Sequence, residues 1–310
     1  MVGTAMARER LFALRETIAR LEGKTTPERV VAPPMDGATL ERKTTRRLSL
    51  GIAALDEALG GGVPLDGLSE IRCRLLVDAG AASGFAAALM SRLQAEEEEQ
   101  RGRSASPVLW IGETVATMEA GMPHPIGLFH FGLARRNFFH AAPRKLDEAL
   151  WLAESAVESR AFCVIIFEVR GNPAHFGLTE SRRLSLRAKA AGKPLIVLRA
   201  GGEEEASSAA CRFLAEPAPA RPRPLPDGSE LAGSIGNPVF RLTLEKSRSP
   251  APFSLFLEWN SHDRRFVLLE QPEHLAVDAP AHSGALFSAP ADRSDRTAQM
   301  GSVLAFDRAS

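Results

Sequence analysis

Leu11, Leu14, Ile18 and Leu21 recur at three- and four-residue steps among Arg and Glu, which predicts an amphipathic N-terminal helix. Its apolar stripe is narrow and too short to stand alone. It either folds back onto its own core or docks on a neighbouring protomer or partner. Pro27, Pro33 and Pro34 make a linker of the stretch from Lys24 to Arg47. Leu55 and Leu59 share one face of a short helix from Ala53, stopped by Gly60-Gly61-Gly62, Pro64 and Gly67. Ser69 to Val77 reads as a strand in which Arg72 and Arg74 alternate with Cys73 and Leu75, so one face is expected to be partly open. A small-residue loop, Ala79 to Gly84, then leads into a helix carrying Phe85, Leu89 and Leu93. The acidic run Glu96 to Glu99 is expected to be its solvated end and following loop.

Val108 to Ile111 is a short buried strand, and Leu146, Leu150, Ala153 and Val157 form another helical stripe. Phe162 to Phe167 is the continuous apolar run of a strand covered on both faces. Leu178 to Ala191 is helical and ends at Gly192 and Pro194, and Leu195 to Leu198 is a further buried strand. Such alternation predicts an α/β fold with a mainly parallel central sheet, right-handed crossovers and helices on both faces. Gly201 to Pro238 reads largely as loop, with Cys211 to Leu214 able to pair as a short strand. Val239 to Glu245, Phe253 to Asn260 and Arg264 to Glu270 alternate apolar and polar residues as an antiparallel β-meander. From Gln271 periodicity is lost and a disordered tail is expected. The chain therefore divides into 1–45 (helix and linker), 46–270 (core with its meander) and 271–310 (tail).

Composition narrows the function classes. Lys+Arg 38 against Asp+Glu 38 gives no net charge, which excludes a globally basic nucleic-acid binder. Three cysteines without a CxxC pair argue against a disulfide framework or structural zinc and fit a reducing cytoplasm. No charge-free span is long enough for a bilayer, and Leu75 to Met90 is broken by Asp78. No cofactor or metal is called for: His124, His130, His140 and His175 have no ligand spacing with a cysteine pair. The Met and Phe residues between Met118 and Phe139 read as core or interface.

The most informative segment is Ser49-Leu-Gly-Ile-Ala-Ala-Leu-Asp-Glu-Ala-Leu-Gly-Gly-Gly-Val-Pro-Leu-Asp-Gly-Leu-Ser-Glu-Ile71. It resembles the lead-in to the nucleotide loop of the RecA family. That family continues with G-x-x-x-x-G-K-[ST], whose backbone N–H groups wrap phosphates, whose Lys neutralises them and whose hydroxyl holds Mg²⁺. This chain has Ala79-Gly80-Ala81-Ala82-Ser83-Gly84-Phe85-Ala86 instead. Gly84 is kept, Phe85 stands at the Lys position and Ala86 at the Ser/Thr position, and Gly80 falls one residue late. Without cation or metal ligand, phosphoryl transfer loses its electrostatics, so the chain reads as a pseudo-ATPase with no catalytic residue. Phe85 would also turn an apolar ring toward the anionic end of any nucleotide. Two acids match by position the family's water-activating glutamate (Glu113) and its Walker-B acid (Glu168), and are read as vestigial.

Together with the basic helix Arg182-Arg183-Leu-Ser-Leu-Arg187-Ala-Lys189 and Lys193-Pro-Leu-Ile-Val-Leu-Arg199, these features resemble the ImuA family, RecA-like and SulA-related proteins of bacterial SOS mutagenesis cassettes. The resemblance spans roughly residues 8 to 270. It implies an accessory role in error-prone translesion DNA synthesis with an ImuB-type Y-family polymerase relative, an error-prone C-family polymerase and RecA as a further candidate partner. A homo-oligomer is left open. Competing readings are a DNA-stimulated RecA-like ATPase and a SulA-like inhibitor of a self-assembling partner. The loops that carry DNA in RecA-like proteins correspond to Arg170–Leu178 and to the segment opening with Gly201-Gly-Glu-Glu-Glu205. Three carboxylates there would repel phosphates, so DNA contact is expected to be indirect or weak. Arg182, Arg183, Arg187, Lys189 and Lys193 form the candidate contact surface for an acidic partner or DNA, or simply a solvated helix face.

Overall fold

The computed structural model describes residues 46–102, 106–134, 137–223, 225, 227–231, 234–247 and 253–270. The expected docking helix (Leu11, Leu14, Ile18, Leu21) and the expected tail 271–310 lie outside the described residues.

The lead-in motif builds a tight turn. Arg47–Leu48 (β1) pairs antiparallel with Val63–Pro64 (β2), and helix Ala53–Ala58 (α1) lies between them in the chain. Asp56 accepts hydrogen bonds from Ser49 Oγ at 2.7 Å, Leu50 N at 2.9 Å and Gly51 N at 3.0 Å. The Arg47 guanidinium donates to the carbonyls of Leu59 at 2.6 Å and Gly62 at 3.1 Å. At Gly62 φ is +121° and a Cβ would come within 2.1 Å of the Leu48 carbonyl oxygen, so a side chain has no room there.

Gly67–Cys73 (β3) is the middle of the main sheet. It pairs in parallel with Pro194–Ala200 (β7) on one side and with Arg212–Ala218 (β8) on the other. Beyond β7 the parallel block continues through Val164–Arg170 (β6) and Val108–Gly112 (β4) to the edge strand Phe138–Ala141 (β5). Beyond β8 the direction alternates through Val239–Lys246 (β9), Phe253–Asn260 (β10) and Arg265–Leu269 (β11). The nine strands run β11-β10-β9-β8-β3-β7-β6-β4-β5. The long helix Ala79–Arg101 (α2) covers one face; Leu146–Ser159 (α5) and Leu178–Ala191 (α6) cover the other. Two short helices, Thr114–Ala120 (α3) and Pro125–His130 (α4), lie between β4 and β5 in the chain. The parallel sheet, its helices on both faces and the antiparallel meander are as the hydrophobic periodicity predicts.

Local departures have physical reasons. The stretch expected as a loop, Ala79 to Gly84, is helical: a 3-10 turn at Leu76–Asp78 passes straight into α2. Its alanines favour helix once no loop-forming glycine stands at the first motif position. Glu96 to Glu99 also stay within α2, which ends at Gly102 in the left-handed region. There Glu97 is buried and accepts from Ser106 N at 3.0 Å, while Glu98 pairs with Arg264 at 2.7 Å. β5 escapes the hydrophobic pattern because Phe139 on it is exposed at a sheet edge.

Phe85 is fully buried, and its ring packs against Phe213, Phe266 and Phe240 at centroid distances of 5.5, 5.6 and 6.0 Å. It points into the core beneath the meander. This corrects the expectation that it faces an anionic cleft: α2 is wound so that position 85 falls on its sheet-facing side. Placing the motif's Lys and hydroxyl at these positions by Phe85→Lys with Ala86→Ser therefore destabilises the fold. The lost ring costs about 3–5 kcal/mol, and a buried ammonium adds to that. Thermal melting should fall steeply, with no gain in nucleotide binding.

Candidate functional site

The C-terminal ends of parallel strands are where α/β sheets place ligands. Here β4 ends at Gly112 and β6 carries Glu168 directly opposite it in register. Glu168 is 2% exposed. Trp110 Nε1–H, on the neighbouring strand, donates to its Oε2 at 2.7 Å. Burial pushes the Glu168 carboxyl above its ordinary range, an effect the indole hydrogen bond only partly offsets. Glu113 stands at the N-cap of α3, and burial raises its carboxyl as well. His140 on β5 lies opposite Trp110 in register. Its Nε2 is buried without a hydrogen-bond partner, and burial holds the imidazole toward its neutral form. A Cβ at Gly112 would meet Thr117 Oγ1 at 3.0 Å, Glu168 Oε2 at 3.2 Å and His140 Nε2 at 3.6 Å, so these three groups converge on one strand end.

A cavity of about 240 Å³ opens in front of Glu168, between the start of α2 and the α3–α4 segment. Gly80, Ser83, Gly84 and Ala87 form one wall; Met122, Pro123, Leu128 and Phe131 face them. The motif residues thus line a cavity from within a helix and do not wrap a phosphate. Ala79 and Ala86 are buried in the core. Gly84 is needed for packing: a Cβ there would press on Phe240 at 3.2 Å and Phe131 at 3.3 Å.

The basic residues of α6 divide. Arg183 pairs with Glu154 of α5, and Arg187 pairs with both Glu154 and Glu158. Their charge is matched across the α5–α6 contact. Arg182 and Lys189 are exposed, and Lys193 is half-buried at the start of β7. The five do not make one continuous cationic surface.

A second polar centre was not singled out in the sequence. Glu70, in the middle of β3, is buried between Arg199 (3.2 Å) and Arg212 (3.1 Å), and Ser207 Oγ donates to it at 2.7 Å. Burial alone would raise this carboxyl, but Ser207 and the two guanidinium groups outweigh it and hold Glu70 below its ordinary range. Arg72 makes a two-pronged pair with Glu245 at 2.7 and 2.6 Å and is buried, so the face expected to be partly open is closed by β9. The acidic run stays exposed but reaches the buried guanidinium groups: Glu204 meets Arg212 at 2.9 Å and Glu205 meets Arg199 at 3.8 Å. Glu203 is clasped by Asn172 through both its N–H and its carbonyl. The available signal was a set of charged residues at alternate positions within otherwise apolar strands, which in a sheet covered on both faces must pair with one another.

Among the described residues no cluster of His, Cys, Asp and Glu could hold a metal ion, and no helix is long and apolar enough to cross a membrane. The cysteines are buried and unpaired; burial pushes the Cys163 thiol up to about 12 and Cys211 to about 11, so neither suits a nucleophile.

No family model matches the chain, and no curated protein matches it. Among solved structures it is similar to the RadB recombinase, at 15% identity and a TM-score of 0.45, covering 72% of this chain and all of the other.

The two buried carboxyls predict opposite pH limbs. Glu70, with its lowered folded-state value, contributes stability that is present above its unfolded value and lost as pH falls through the folded one. Glu168, with a raised value, favours the fold at low pH and penalises it as pH rises through the folded value. Glu168→Gln should therefore raise the melting temperature above neutrality and leave it little changed in acid. Glu70→Ala should cost about 3–5 kcal/mol at neutral pH by leaving two buried guanidinium groups unpaired. Melting curves taken across a pH series check both.

Proposed function

We propose that this chain is a RecA-type protein that has lost nucleotide hydrolysis and works as an adaptor in error-prone DNA synthesis past damage. In this reading it meets an ImuB-type Y-family polymerase relative and a C-family polymerase through protein contacts. The observation that carries it is the start of α2. Where a phosphate loop would expose successive backbone N–H groups, the chain is already helical, and the residue at the lysine position is locked into an aromatic core. Phosphoryl transfer rests almost wholly on positioning and charge stabilisation, and neither a cation nor a hydroxyl stands at the two motif positions that would supply them.

Two further features support the reading. The lead-in motif keeps its residues for structural reasons, since Ser49, Gly51, Asp56 and Gly62 all hold one turn. A RecA-type scaffold is thereby preserved without its chemistry. The loop after β7, which would carry DNA in a RecA-type filament, has Glu204 and Glu205 closed over Arg199 and Arg212. Those arginines are consequently unavailable to phosphates, which favours protein over DNA as the direct partner.

The full chain should show no saturable ATP binding and no phosphate release above buffer, with or without single-stranded DNA, while co-purifying with a Y-family polymerase relative from damaged cells. DNA-stimulated phosphate release would overturn the proposal. Arg183→Glu/Arg187→Glu should leave partner recovery within about twofold, because those charges serve the α5–α6 contact, and should lower the melting temperature by setting four carboxylates against one another.

A further inference from the structure

Glu168 is a buried carboxylate with spare acceptor capacity. An ionised carboxylate offers about four lone-pair sites, yet among the described residues only the Trp110 indole donates to it. No Lys, Arg or His of the described residues forms an ion pair with it. Such an acid is costly to ionise and is held toward its neutral form, so a cation that reaches it would favour the carboxylate. The cavity in front of it has room for a partner, and its other walls are mostly apolar: Trp110, Met122, Pro123, Leu128 and Phe131.

A divalent cation is a poor match. It needs several oxygen ligands, and no metal-holding cluster exists among the described residues. An anion would face the carboxylate directly. A group that carries one positive charge, several N–H donors and an apolar body satisfies all the walls at once. The volume of about 240 Å³ lies below the ~300–1,000 Å³ of drug-sized sites, which limits the body to a short chain or a single ring.

We propose that this cavity is a binding site for a small primary amine, its ammonium donating to Glu168 and its apolar stem lying between the α2 wall and the α4 side chains. This site is independent of the adaptor role: the protein can lack ATP hydrolysis and still carry it, and it can fail without touching that reading.

The test uses the full chain and phenethylamine as probe, with phenethyl alcohol and phenylacetate as neutral and anionic counterparts of similar shape. The protein has three tryptophans, so proton–nitrogen correlation spectra give three indole signals, and Trp110→Phe identifies the relevant one. Phenethylamine should shift the Trp110 indole signal saturably, and the alcohol and the acid should not. Glu168→Gln, which keeps an acceptor for the indole, should weaken binding about tenfold or more. Gly80→Leu, which adds an apolar side chain to one wall of the cavity at a position where a Cβ meets nothing within 4 Å, should also weaken it. The absence of any saturable shift, equal binding of the alcohol, or undiminished binding to a folded Glu168→Gln or Gly80→Leu protein would each overturn the proposal.

Discussion

Phe85 is the pin that joins the two halves of the sheet. It projects from α2 into the rings of Phe213 on β8, Phe240 on β9 and Phe266 on β11. The helix that starts beside the parallel block is thereby packed onto the antiparallel extension. A long cation at this position could not serve the same purpose, because its charge would be stranded among aromatic edges. The chemistry a RecA-type loop would need and the packing this fold uses are thus mutually exclusive at one residue.

Charge inside the sheet follows a different logic. Glu70, Arg199, Arg212 and Arg72 occupy neighbouring strands around β3, and each finds a partner across the strand or from the segment after β7. Buried pairs of this kind add little net stability over apolar substitutes but are severe on mispairing. Here they join β3 to the strand on each of its sides. β8 is parallel to β3 and antiparallel to β9, and the Arg212–Glu70 contact distinguishes that arrangement from a slipped register.

Much of the fold was legible because the apolar periods are clean. Phe162 to Phe167 and Leu195 to Leu198 announce covered parallel strands, and the meander announces itself by alternation. What stayed hidden depended on partners distant in sequence. Arg72 looked solvent-facing because Glu245, its partner, arrives from β9. The motif frame alone turns Phe85 toward a cleft, whereas the helical phase of α2 decides where it points. Position 168 was visible as an acid at a strand end; its burial and its bond to Trp110 emerge only once β4 and β6 are in register. The arginines of α6 looked like a surface patch because the acids of α5 that face them belong to another stripe.

The route of the chain between β8 and β9 has a consequence for how the molecule comes apart. β9 to β11 are reached through a long proline-bearing connection, yet they supply the apolar floor against which α2 rests. A protease that cut this connection would sever the backbone without releasing a fragment. The two pieces would stay clasped through Phe85 and its aromatic neighbours, melting together as one cooperative body, and the C-terminal piece made alone would have no core of its own.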